Sequence, residues 1–168
     1  MANDFEYSQH GHDEAAKALV PLGLDDDERA FALQQAAIIL QPAAMQYKID
    51  LMAGKKLRPM VVRLALLRAL TYINHEVRAW GEGHDRYHYA QEAGAQADAM
   101  IAAHGLTPDE EEYVCDLSSA AIRDVEREFM VRAQQGHRWT RSLAIVGAFW
   151  AAMKHADDWE NHGWLKKD

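Results

Sequence analysis

The chain has very little cysteine, little proline and almost no strand signal. Of 168 residues, one is cysteine (Cys115) and four are proline. A lone cysteine closes no internal bridge, so a disulfide-stapled fold is excluded and a reducing, cytoplasmic setting is expected. Clusters of β-branched residues are scarce, and no Asn-Gly or Asp-Gly hairpin signal occurs, which argues against a β-rich fold. Basic charge is also in deficit: the formal net charge is −8. Nucleic-acid binding through a generic electropositive surface is therefore not expected, because such binding rests on counterion displacement by Lys and Arg. The longest apolar run, Leu143 to Met153, is 11 residues. A membrane span needs about 20, so no membrane association is expected. The first residues, Met1 to Asp13, lack the basic and apolar regions of a signal peptide.

What the sequence does have is helical periodicity along nearly its whole length. Its hydrophobic content of 49% suits a globular domain, and a chain of this size buries enough surface to build a core without metal or disulfide. The expected fold is all-α, a single-domain bundle of five or six helices over residues 13–168, preceded by a disordered arm over residues 1–12. A short helix is expected from Glu14 to Val20, with Asp13 as N-cap. The second starts in the run Asp25-Asp26-Asp27-Glu28, whose carboxylates complement the helix dipole, and ends at Gly54. It carries one stripe of Leu33, Ala37, Leu40, Ala44, Tyr47 and Leu51, and another of Phe31, Ile38, Met45 and Met52, with Pro42 as a kink. The third runs from Pro59 to Gly81 or Gly83 and has two apolar faces. The fourth spans about His84 to Ala103, and Gly105 stops it. The fifth opens with a capping box, Thr107-Pro108-Asp109-Glu110, and ends at Gly136. The sixth runs from about Trp139 towards Asn161.

Candidate chemistry concentrates in histidines and carboxylates. His84 and His88 stand at i and i+4 with Glu92 one turn on, a spacing that can hold a divalent ion such as Zn, Fe or Mn. On the helical wheel, however, they lie opposite the small-residue stripe Ala93, Ala97 and Met100, whereas metal-binding bundles aim their ligands inward. His155, Asp158 and His162 share one side of the last helix and form a second candidate set, against the simpler reading of a solvated helix end. Asp25 to Glu28 and Asp157-Asp158-x-Glu160 read as capping and surface carboxylates rather than a Mg²⁺ motif. Arg132 and His137 have the spacing of the HEPN-type ribonuclease motif, but six residues with two fixed positions, and Ala133 where a polar residue is usual, assign no family. Lys55, Lys56 and Arg58 flank a helix start that can hold an anion; the alternative is pairing with acidic neighbours, which is also expected for Arg63 and Arg68. Trp159 and Trp164 mark a possible partner-binding surface in the aromatic tail.

The function expected from these readings is a non-catalytic, protein-binding helical bundle: an accessory subunit, an inhibitor or immunity-type protein, or a self-assembling component. Its partner is another protein or a second copy. The spare apolar faces on the third and sixth helices and the acidic charge support this. The alternative is a metal-dependent helical-bundle enzyme, oxidoreductase-like or hydrolytic, using the histidine and carboxylate set.

Overall fold

The computed structural model describes residues 9–82, 94–99, 101–134 and 142–162. Every regular element among them is helical. Helix α1 is Gln9–Leu19, followed by a 3₁₀ turn, Val20–Leu22; α2 is Asp26–Met52 and α3 is Met60–Glu82. Helix α4 covers residues 94–99 and 101–102. Helix α5 is Pro108–Gln134 and α6 is Ser142–His162.

The helix starts follow sequence chemistry. Asp25 caps α2: its carboxylate accepts from the Glu28 amide at 2.8 Å, and the Glu28 carboxylate accepts from the Asp25 amide at 3.0 Å. The same reciprocal box opens α5, with Thr107 Oγ1 accepting from the Glu110 amide and Glu110 Oε1 accepting from the Thr107 amide. Gly23 takes a φ of 62°, the left-handed conformation that turns the chain from the 3₁₀ segment into α2. Helix α1 begins earlier than the expected Glu14. Asp13 lies inside it and accepts from the Gln9 side chain at 2.8 Å rather than capping the helix. Residues 9–12, expected in the arm, are therefore helical, because Gly11 packs on α6; the rest of that arm lies outside the described residues.

Helix α6 is the hub. It packs against α1, α2 and α3, while α5 packs chiefly on α3. Its apolar run is covered: Ala144, Ala148, Phe149, Ala151, Ala152 and Ala156 are all at most 1% exposed. The small side chains let neighbours come close. A Cβ on Gly147 would meet Leu19, Leu22 and Leu24 at 3.1–3.3 Å, so only glycine accommodates all three leucines there without displacement. Gly11 on α1 is the reciprocal case, facing His155 and Asp158 of α6. Helix α3 buries Val61, Val62, Leu64, Ala65, Leu66, Ala69, Leu70 and Ile73 against its neighbours. These form one continuous cluster of buried side chains with Phe31, Leu40, Tyr47 and Trp159.

This packing corrects the expectation of spare apolar faces on the third and sixth helices. Over residues 60–73 of α3 and 144–160 of α6 the apolar side chains are buried or partly buried, because α5 and α6 flank α3 and three helices surround α6. Among the described residues, the apolar face left uncovered belongs to α2.

Candidate functional site

Helix α2 buries one stripe and exposes the other. Phe31, Ala32, Ala36, Ile39, Leu40, Ala43, Ala44 and Tyr47 face the core. On the opposite side, Ile38 is 53% exposed, Met45 52%, Ile49 53% and Met52 87%. With exposed Pro42 among them, these residues recur at steps of four, three, four and three, one straight seam along the helix. Single exposed apolar residues are ordinary, but a contiguous row of them is not.

Pro42 stands mid-helix on this face, and α2 runs through it without interruption. Proline supplies no N–H, so the carbonyl of Ile38 loses its intrahelical donor. Nearby, the helix is tied from across the molecule. The Tyr113 hydroxyl of α5 donates to the Ala43 carbonyl at 2.6 Å, and the Tyr47 hydroxyl donates to the Leu57 carbonyl at 3.3 Å. The two tyrosine rings meet edge to face at 6.2 Å. Burial pushes the Tyr113 phenol well above its ordinary pKa, so the donor proton stays in place.

The seam borders a cleft of about 330 Å³ between α2 and α5, floored by Ala65 and Leu66 of α3. Ile38 and Pro42 form its α2 lip, and Leu117, Ala120 and Ala121 form the α5 wall. Asp124 and Arg127 close one end, paired with each other at 3.6 Å. Beyond Pro42 a second hollow continues along Gln46, Asp50, Glu112 and Asp116. The surface as a whole is an apolar row beside an apolar cleft with a polar rim. It resembles a docking surface in composition.

The basic segment is a tie, not an open anion cradle. The Glu110 carboxylate, which is 1% exposed, accepts from the Arg58 amide, Nε and Nη2, each at 2.8 Å. Arg58 also donates to the Gly105 carbonyl at 3.2 Å. Lys55 pairs with Glu112 at 3.0 Å, and the Lys56 amide donates to Asp109 at 3.2 Å. Arg58 holds the Glu110 carboxyl down to about 2 from its usual 4.5, with the Thr107 and Arg58 amides adding to the effect. Arg63 and Arg68 pair with carboxylates, as expected: Arg63 with Glu160 at 3.3 Å and Arg68 with Asp98 at 3.9 Å, and Arg68 also donates to Ser118 at 2.6 Å and lies over the Tyr72 ring at 5.1 Å.

Of the histidine candidates, His84, His88 and Glu92 lie outside the described residues. His155 and Asp158 are buried, at 4% and 6% exposure, where α6 meets α1. Both converge on Gly11: His155 Nδ1 and an Asp158 carboxylate oxygen each lie 3.1 Å from the position its Cβ would occupy. The His12 ring stands 6.4 Å from that of His155. Burial, together with His12, lowers the His155 pKa from 6.5 to about 4, against an opposing effect of Asp158. The imidazole is therefore neutral near neutral pH. His162 ends α6. Among the described residues, no three His, Cys, Asp or Glu side chains come together in a way that could hold a metal ion. Trp159, read from sequence as part of a binding surface, is 3% exposed and belongs to the core cluster, because its turn of α6 faces inward. Trp164 lies outside the described residues.

Most of the α2 seam is visible in the sequence as the second stripe of that helix, with nothing local to mark it as a site. Only the docking of the helices shows which of two stripes stays uncovered. No described helix is long and apolar enough to cross a membrane. Comparisons with protein-family models, with curated proteins and with solved structures returned no match.

Proposed function

We propose that this chain is a non-catalytic, protein-binding helical bundle, and that the exposed face of α2 with its adjoining cleft is the surface that binds. The observation that carries the reading is the row Ile38, Met45, Ile49 and Met52, each more than half exposed along one helix. Pro42 strengthens it. A mid-helix proline costs up to about 3 kcal/mol relative to alanine, and no core contact accounts for its place on the exposed side. Two departures from the ordinary rules of a water-facing helix therefore fall on the same face, the pattern expected of a surface kept for use. The partner this face suits is an amphipathic helix laid along α2, with apolar anchors at i, i+3 or i+4, and i+7. Methionines suit such a seam because their unbranched, polarizable side chains repack against differing partners.

The test separates this reading from the metal-dependent alternative, which has His155 and Asp158 to draw on. Wild-type protein and the double variant Met45→Glu/Ile49→Glu are immobilised and passed through native extract, with and without chelator, and bound chains are quantified. The expected result is a stoichiometric complex that survives the chelator and is lost in the variant, while circular dichroism shows both proteins equally helical. A complex indifferent to the double substitution contradicts the reading. Near-stoichiometric zinc, iron or manganese by elemental mass spectrometry, lost on His155→Ala, would favour the metal-dependent one.

A further inference from the structure

We propose that the partner of the α2 face is a second copy of this chain, packed with its α2 antiparallel to the first across a twofold axis at Met45; this rests on the protein-binding reading above and names its occupant. The first argument is spacing. Ile38 and Met52 each lie seven residues from Met45, and Pro42 and Ile49 lie three and four residues from it. Reversing the helix about Met45 therefore lays Ile38 against Met52 of the partner copy and Met45 against its own twin, with Pro42 beside the partner's Ile49. A twofold interface requires one patch complementary to itself, and this row meets that requirement without a residue left over.

The second argument is charge. Between Ala30 and Met52 the only residues charged at neutral pH are Lys48 and Asp50, and Asp50 is buried. The chain as a whole carries −8. Two copies of a strongly acidic molecule repel, and the carboxylate-free α2 face is where they approach at least cost. In the antiparallel register Lys48 comes near the partner's Gln41 and Pro42, and Pro42 borders the hollow that holds the α5 carboxylates Glu112 and Asp116.

The third argument is size. The row runs over 15 residues, Ile38 to Met52, about 21 Å of helix. A two-helix seam of that length belongs with the smaller specific interfaces, below about 1,200 Å² in total. The association is therefore reversible, and protein concentration sets the dimer fraction.

Sedimentation velocity on the full chain, from micromolar to near-millimolar protein, reads this directly. The expected outcome is a shift from monomer to dimer with rising concentration in the wild type, abolished in Met45→Glu/Ile49→Glu. A second measurement fixes the register. In a Cys115→Ser background, Met45→Cys places two thiols on the twofold axis, within the short reach a disulfide demands. It is expected to cross-link under mild oxidation many times faster than Ser119→Cys, which puts an exposed thiol on α5. A wild type that stays monomeric throughout overturns the proposal. So does a dimer that persists in the double glutamate variant, or one in which the Met45 and Ser119 thiols link at the same rate. A monomeric wild type whose double variant still loses a different bound chain would overturn self-pairing alone and leave the protein-binding reading standing.

Discussion

Glu110 gathers four hydrogen bonds on one buried carboxylate, three from Arg58 and one from Thr107. It joins the loop before α3 to the start of α5, and sequence reading caught only half of this. The Thr107–Glu110 box was legible from spacing, whereas the Arg58 contact spans a separation that no local pattern encodes. Because the folded pKa lies near 2 and the ordinary value is 4.5, the unfolded chain takes up the proton first as pH falls. The stabilisation is fully present above about pH 4.5 and is lost towards pH 2. Glu110→Gln is expected to cost about 2 kcal/mol at neutral pH and to flatten the acid limb below pH 4.5, as read from urea midpoints across pH. His155 acts in a different window. Its folded pKa is near 4 against 6.5, so the unfolded chain binds the proton first here too. Stability is complete above about pH 6.5 and declines as pH falls to about 4. His155→Gln is expected to remove that decline while leaving the Glu110 limb intact; a decline unchanged in the variant would assign it to other groups.

At the scale of elements, periodicity identified the apolar stripes but not their partners. The stripes of α3 and α6 looked available and are covered, while the second stripe of α2 is bare beyond Phe31. The reason is physical. An amphipathic pattern states which residues avoid water, and only the docking of neighbours decides which stripe succeeds. Helix α1 begins earlier than periodicity suggests for a related cause: Gln9 to His12 carry no apolar period, and Gly11 lies close against His155 and Asp158 of α6. Trp159 followed the same logic, since an aromatic residue near a helix end reads as exposed until α6 is seen at the centre of the bundle. Pro42 gives the element-scale prediction. Replacing it with alanine restores an N–H to α2 and removes the ring, so Pro42→Ala is expected to raise stability by up to about 3 kcal/mol, measured by urea unfolding. A loss of stability would show that the proline serves the fold rather than the surface.

For the whole molecule, the all-helical architecture was legible because nearly every segment carried the same period, and the Thr107–Glu110 capping box and the acidic run from Asp25 to Glu28 marked helix starts. The exposed face of α2 was not, because it is defined by absence: among the described residues, α5 leans on α3 and leaves the outer side of α2 uncovered beside a cleft. The central claim is that this face is covered when the protein associates. Methionine oxidation tests it with the native side chains in place, since sulfoxide forms fastest where the thioether meets solvent. Met45 and Met52 are exposed, whereas Met153 is half-buried against the core. Brief peroxide treatment followed by peptide mass spectrometry, at low and high protein concentration, would follow all three. The account predicts fast oxidation of Met45 and Met52 in dilute protein, strong protection of both at high concentration, and a slow, constant rate at Met153. Equal rates at Met45 and Met52 across the whole concentration range would contradict it.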